Sequence, residues 1–232
     1  KRKENLLGLF LKKNIFLMNK ITFHHIVRKP KKNDGKPPLL LMVHGFGSNE
    51  EDLFSFSRNL PDQLMIVSIR GPIDMQGMGY AWYNISIDHL GNKVYDIEKA
   101  IESRNDIVKC IEYCTKKYDT DPNNVTLLGF SQGSILINAV ALTYPEKVKN
   151  IISLSGGFDR NIIQLSKSSF NNLSFYVSHG TDDMVLPYDQ AKKTIEILKE
   201  NNISFQFESY PVGHGVCPEN FKSLLLWLNN NL

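Results

Sequence analysis

Two kinds of hydrophobic spacing alternate along this chain. Residues 39–43 form an unbroken apolar run that ends on His44-Gly45, and residues 64–69 form a similar one. Short apolar runs bounded by turn-forming residues predict strands buried on both faces. Residues 21–27, 125–128, 151–154, 174–177 and 203–208 predict further strands. Between these runs the spacing becomes helical. Val94, Ile97, Ile101, Val108, Ile111 and Tyr118 predict a helix over 93–118, ended by a turn over 119–124 that contains Pro122. Further helices are predicted over 131–144, stopped by Pro145, over 187–200 and over 218–232. Ser48 and Glu51 have the spacing of a capping box that opens a short helix. Residues 70–92 are rich in glycine and aromatics but lack a period, which predicts a long loop of the kind that carries function.

Strands that alternate with helices place the chain in the α/β class, with a mostly parallel central sheet covered by helices on both faces. No repeat, low-complexity tract or linker divides it. A single domain is therefore expected over residues 18–232. Residues 1–17 read as an extension in which Leu6, Leu7, Phe10, Leu11 and Phe16 stand among basic residues. Lys12-Lys13 interrupts the apolar stretch, so it does not read as a signal peptide. Two readings stay open: a dispensable tail, or a partly ordered amphipathic helix or anchor.

Composition narrows the class. At 232 residues, 42% hydrophobic and 22% charged, the chain suits one soluble globular domain. The net charge of +3 comes largely from Lys and Arg before residue 40, with no basic patch interleaved with aromatics beyond it, so nucleic acid is not an expected partner. No run approaches the ~20 apolar residues of a membrane span, and membrane contact is not expected. Three cysteines, Cys110, Cys114 and Cys217, give no disulfide framework and suggest a reducing, cytoplasmic setting. Cys110 and Cys114 share a predicted helix face and read as small core residues. Oligomeric state is not legible.

Chemistry enters at Gly129-Phe130-Ser131-Gln132-Gly133, a G-x-S-x-G between a predicted strand and a predicted helix. In that context the serine stands on a sharp turn with its hydroxyl exposed at the strand's carboxyl end, beside a helix N-terminus that favours negative charge. A serine hydroxyl needs a base. His214, in Gly213-His214-Gly215, follows the last predicted strand, and Asp182 and Asp183 follow the strand before it. Serine, acid and histidine thus appear in the chain order that a serine hydrolase of this architecture requires, each just past a strand end. An oxyanion hole needs two backbone N–H groups. Gln132 supplies one, and the glycine-rich loop His44-Gly45-Phe46-Gly47-Ser48 supplies the other, best from Phe46. His44, His179 and His214 lack metal-ligand spacing, and His24 and His25 face opposite sides of a strand, so no metal and no cofactor is expected. Trp82 and Tyr83, in the long loop, are candidates either to line a substrate pocket or to pack beneath the loop.

These motifs, together with Glu51-Asp52-Leu53, Gly79-Tyr80-Ala81-Trp82-Tyr83 and His179-Gly180-Thr181-Asp182-Asp183, resemble those of the phospholipase/carboxylesterase family from about residue 21 to the end. The resemblance implies an α/β-hydrolase fold and a Ser131–His214–Asp183 triad, with Asp183 rather than Asp182 as the acid. It also implies oxyanion amides at Phe46 and Gln132. Met184 and Ser134 depart from residues common in that family and flank the site, which makes Met184 a candidate to shape the substrate pocket. The expected activity is hydrolysis of a small-molecule carboxylic ester with a small or medium acyl group. Lysophospholipid, thioester or amide hydrolysis uses the same machinery, and a non-catalytic binding protein on the same scaffold is the alternative of another class.

Overall fold

The computed structural model describes residues 23–31 and 35–232; the expectation for residues 1–17, and the start at residue 21 of the first expected strand, lie outside that range. In chain order the strands are β1 (His25–Arg28), β2 (Pro38–Val43), β3 (Met65–Ile69), β4 (Ile73–Asp74), β5 (Tyr80–Ala81), β6 (Ile85–Ile87), β7 (Lys93–Tyr95), β8 (Asp121–Phe130), β9 (Asn150–Leu154), β10 (Ser174–Gly180) and β11 (Ser204–Tyr210). Seven of them form one sheet in the order β1-β3-β2-β8-β9-β10-β11, parallel throughout except for β1. The α-helices are α1 (Glu50–Phe54), α2 (Ile97–Tyr118), α3 (Gln132–Thr143), α4 (Asp189–Glu200) and α5 (Pro218–Asn231).

Register explains why the central strands read as unbroken apolar runs. Val67, Leu41, Leu127, Ile151 and Phe175 lie in one row across β3, β2, β8, β9 and β10. They pack in a core with Ile107 and Ile111 of α2, Leu136 and Val140 of α3 and Leu198 of α4. The row one residue on, Met42, Leu128, Ile152 and Tyr176, faces the other way and joins Leu53 of α1 and Leu224, Trp227 and Leu228 of α5. Both faces are covered, so both sets of alternate residues must be apolar.

The order reverses at β2. The chain goes from β2 outward to β3 and then returns to place β8 on the other side of β2. Such a switch point opens a crevice at the carboxyl ends of the two strands. His44-Gly45 leaves β2 there, and Phe130-Ser131 lies at the end of β8.

Several predicted boundaries move, each for a local reason. The helix expected from residue 93 starts at Ile97, because the Asp96 carboxylate accepts the Lys99 N–H at 2.9 Å and caps it. Lys93–Tyr95 instead pairs with Ile85–Ile87, so the supposed long loop contains two small hairpins, β4–β5 and β6–β7. The Ser48–Glu51 capping box does not form. Asn49 is the N-cap and accepts from the Glu51 N–H at 2.8 Å, while the Ser48 hydroxyl donates to Asp52 at 2.7 Å. The helix expected from residue 187 begins at Asp189. Strand β8 begins at Asp121, and Pro122 sits where the register with β2 breaks, a place that needs no N–H from it. Cys110 and Cys114 are buried side by side, sulfurs 3.9 Å apart.

Candidate active site

The turn from β8 into α3 is very tight. Ser131 has φ 53° and ψ −117°, backbone angles costly for a residue with a Cβ, and such strain concentrates at functional positions. Its neighbours allow it. A Cβ on Gly133 would stand 2.0 Å from the Val43 carbonyl oxygen, and one on Gly129 would stand 2.8 Å from the Gly133 carbonyl. Glycine at both sites lets the first turn of α3 press against β8 and β2. The serine is held by its own N–H, which donates to Leu154 O at 3.0 Å, and by its carbonyl, which accepts the Ile135 N–H at 3.0 Å.

The loop after β11 carries His214 over this turn. Its Nε2 is 2.8 Å from Ser131 Oγ and its Nδ1 is 2.7 Å from Asp183 Oδ2. A carboxylate only accepts, so Nδ1 carries the imidazole proton and Nε2 accepts from the serine hydroxyl. The Phe130 ring lies against the imidazole at a centroid distance of 4.8 Å. Asp183 is buried, and its other oxygen accepts the Val185 and Leu186 N–H groups at 2.9 Å each. Burial pushes this carboxyl up, but the hydrogen bonds from His214, Leu186 and Val185 outweigh burial and hold it below the usual carboxylate range. Asp182 takes no part: it is exposed, with the Thr181 hydroxyl 3.3 Å from its Oδ1.

Two further histidines, His179 and His44, are held within the fold. His179 is buried and donates from Nε2 to Leu186 O at 2.8 Å, 3.3 Å from Asp183 Oδ2, so it steadies the acid loop. His44 is buried, and burial pushes its pKa down. Its Nδ1–H donates to Gly45 O at 2.7 Å and its Nε2 accepts the Gly71 N–H at 2.9 Å. No cluster of three or more His, Cys, Asp or Glu side chains suited to a metal occurs among the described residues, nor any helix long and apolar enough to cross a membrane.

Gln132 follows the serine as the first residue of α3, and Phe46 lies on the loop after β2, next to Gly45, where an added Cβ would stand 3.4 Å from Ser131 Cβ. Neither amide takes part in a turn, loop or cap hydrogen bond among the described residues. Trp82 and Tyr83 do not line an open pocket. Trp82 is fully buried, packed edge-on against Phe23, and its indole N–H donates to His44 O at 2.9 Å. Tyr83 is 3% exposed. The packing reading of the long loop is the one that holds for these two, because β5 carries them inward behind the glycine-rich loop. Met184 projects into solvent, 90% exposed, beside Asp183. Exposed Phe46, Met78, Ile87, Leu90 and Val185 lie on segments tied to one another: Gly47 N–H donates to Tyr80 O, and Lys93 Nζ donates to Val185 O at 3.2 Å. Ser134 is buried and hydrogen-bonds Ser153 at 2.7 Å.

One contributor had no sequence signal beyond its place in the motif. The Gln132 side chain turns inward, accepting the Trp82 N–H at 3.0 Å and donating to Tyr83 O at 2.9 Å.

A parallel sheet covered on both faces, with this tight turn at its switch point, is the α/β-hydrolase fold. The model of the phospholipase/carboxylesterase family matches residues 24–232, and the chain belongs to that family. Carboxylesterase SOBER1 of Arabidopsis thaliana is 31% identical over 116 residues, 49% of this chain and 51% of that protein. The chain thus spans about half the length of the Arabidopsis carboxylesterases it matches. Acyl-protein thioesterase 1 of Mycosarcoma maydis is 23% identical over 231 residues, 88% of this chain and 95% of that protein. The crystal structure of the Bacillus cereus carboxylesterase superposes with a TM-score of 0.80 at 21% identity, covering 94% of this chain and 99% of that one, which shows the shared fold.

Proposed function

We propose that the chain is a serine hydrolase of carboxylic esters that works through an acyl-enzyme. The observation that carries this reading is the unbroken hydrogen-bonded line Ser131–His214–Asp183, with each link under 3 Å. His214 Nε2 takes the hydroxyl proton as Ser131 Oγ attacks the ester carbonyl carbon. Asp183 holds the imidazole in the tautomer that can accept, and stabilises the imidazolium that forms. The Phe46 and Gln132 N–H groups stabilise the oxyanion. The imidazolium protonates the departing alcohol, and water, deprotonated by the same base, then hydrolyses the acyl-enzyme.

The exposed apolar side chains of Phe46 and Val185, on the loops that carry the proposed oxyanion amide and Asp183, favour an uncharged acyl group. Thioester hydrolysis is the second reading, favoured by the thioesterase relative matched over nearly its full length. The same nucleophile and base serve it. Ser131→Ala is expected to lower hydrolysis of a 4-nitrophenyl ester by about 10⁴-fold or more while the melting curve stays close to that of the parent. A fluorophosphonate should label the parent and not the variant. Retention of most activity in Ser131→Ala would end the serine-hydrolase reading, and failure of the parent to label or turn over would favour a binding protein on this scaffold. Matched oxygen esters and thioesters of increasing chain length would separate the two substrate classes.

A further inference from the structure

The two amides of the proposed oxyanion hole come from distant parts of the chain, and both are tied to one segment, Gly79 to Tyr83, whose last three residues are buried. On the Phe46 side, Gly47 N–H donates to Tyr80 O at 2.9 Å and Tyr80 N–H donates to Ser48 O at 2.7 Å. The Trp82 indole N–H donates to His44 O at 2.9 Å, two residues before Phe46. Gly79, at φ +83°, lets the segment approach this closely, because a Cβ there would stand 2.2 Å from Gly47 O. On the Gln132 side, the side-chain amide clamps the Trp82 N–H and the Tyr83 carbonyl. Ser103 Oγ donates to Trp82 O at 2.7 Å, so both polar groups of the Trp82 backbone are bonded.

We infer that Gln132 acts twice: its backbone N–H donates to the oxyanion, while its side chain, through Trp82, fixes the distance between that N–H and the one on Phe46. Gln132 (through its side chain) and Trp82 are therefore positioning residues of the oxyanion hole. This rests on the serine-hydrolase reading above. Among side chains of its size, only a primary amide meets both demands of the clamp, since Trp82 N–H needs an acceptor and Tyr83 O needs a donor. Glutamate would face Tyr83 O with a second acceptor, and methionine would leave both groups unbonded. Oxyanion stabilisation depends on donors held in place before the charge develops. A loosened brace therefore weakens the transition state more than it weakens binding of the ground-state ester.

The test uses the full chain, 4-nitrophenyl acetate as substrate and phenylboronic acid as inhibitor, whose tetrahedral serine adduct places a boron-bound oxygen in the oxyanion hole. Rates are normalised to sites titrated to completion with a fluorophosphonate. In Gln132→Met, kcat/KM is expected to fall about 10- to 100-fold, on the scale of an ångström of misplacement. In Trp82→Phe, which removes the indole donor and keeps an aromatic ring, the expected fall is about 3- to 10-fold, a fraction of what loss of a whole oxyanion donor costs. In both, the boronate Ki should rise by the same factor. A purely structural role would lower the melting temperature and the number of titratable sites but leave kcat/KM and Ki per site unchanged. Per-site values within twofold of the parent would overturn the inference; should Gln132→Met fail to fold, Trp82→Phe decides alone. If the parent is neither labelled nor inhibited by the boronate, it is the serine-hydrolase reading that has failed.

Discussion

Asp183→Asn replaces one oxygen by an NH₂ with almost no change in shape, and the surrounding hydrogen bonds dictate which way the amide faces. Oδ1 of Asp183 accepts two backbone N–H groups, from Val185 and Leu186, at 2.9 Å each. Turning the NH₂ towards them would set donor against donor and leave both N–H groups without their acceptor. The amide oxygen therefore stays with the backbone, and the NH₂ faces His214 Nδ1. That nitrogen must now accept, so the imidazole proton moves to Nε2, the atom 2.8 Å from Ser131 Oγ. Nε2 then donates to the serine instead of accepting from it, and the proposed base is lost although no atom has moved far. In serine hydrolases with a Ser-His-Asp triad the corresponding tautomer error costs about 10⁴ in kcat, and on the proposed mechanism a fall of about 10³- to 10⁴-fold in kcat/KM is expected here. The fold should survive, with stability at neutral pH lowered only by what the carboxylate's charge contributes, because the bonds to Val185 and Leu186 survive. Asp182→Asn should stay within about threefold, since such exposed substitutions rarely matter. Steady-state hydrolysis of a 4-nitrophenyl ester, with thermal melts of both variants, measures this. A loss under tenfold in Asp183→Asn, or a larger loss in Asp182→Asn, would refute the reasoning.

Other outcomes follow from the same contacts. Asp183 links stability to pH. Its depressed folded-state pKa means its contribution is complete above the unfolded carboxylate range and is lost as pH falls through the folded value. Urea midpoints of Asp183→Asn should consequently drop less than those of the parent between neutral pH and about pH 3. Gly133→Ala would force a Cβ to 2.0 Å from Val43 O; a melting-temperature loss of many degrees is expected, and a melt within about two degrees of the parent would contradict the close approach of α3 to β2. Prolonged dialysis against EDTA should leave kcat unchanged, and zinc-restorable loss would show that the histidines were misread.

Period and punctuation were legible in the sequence where the cause is local. The central strands announced themselves because both of their faces are buried, so every position in 39–43 had to be apolar. Ser131 announced itself because the close approach of α3 to β8 and β2 leaves room only for glycine at positions 129 and 133. The order of serine, acid and histidine could likewise be read along the chain. Legibility stopped where a choice depends on what lies across the fold. Val94 and Ile97 have helical spacing, yet Lys93–Tyr95 forms a strand, because its partner Ile85–Ile87 reaches it and Asp96 caps the helix only afterwards. Asp182 and Asp183 are equivalent as sequence; only the approach of His214 and the N–H groups of Val185 and Leu186 distinguishes them. Trp82 looked equally suited to a pocket and to a core, and its burial was decided by Phe23 and by the His44 carbonyl. The inward turn of the Gln132 side chain belongs to the same kind, since the groups it satisfies lie on a segment some fifty residues away in the chain. Local steric rules are written into neighbouring residues, whereas hydrogen-bond partners across the fold exist only once the sheet has brought its strand ends together.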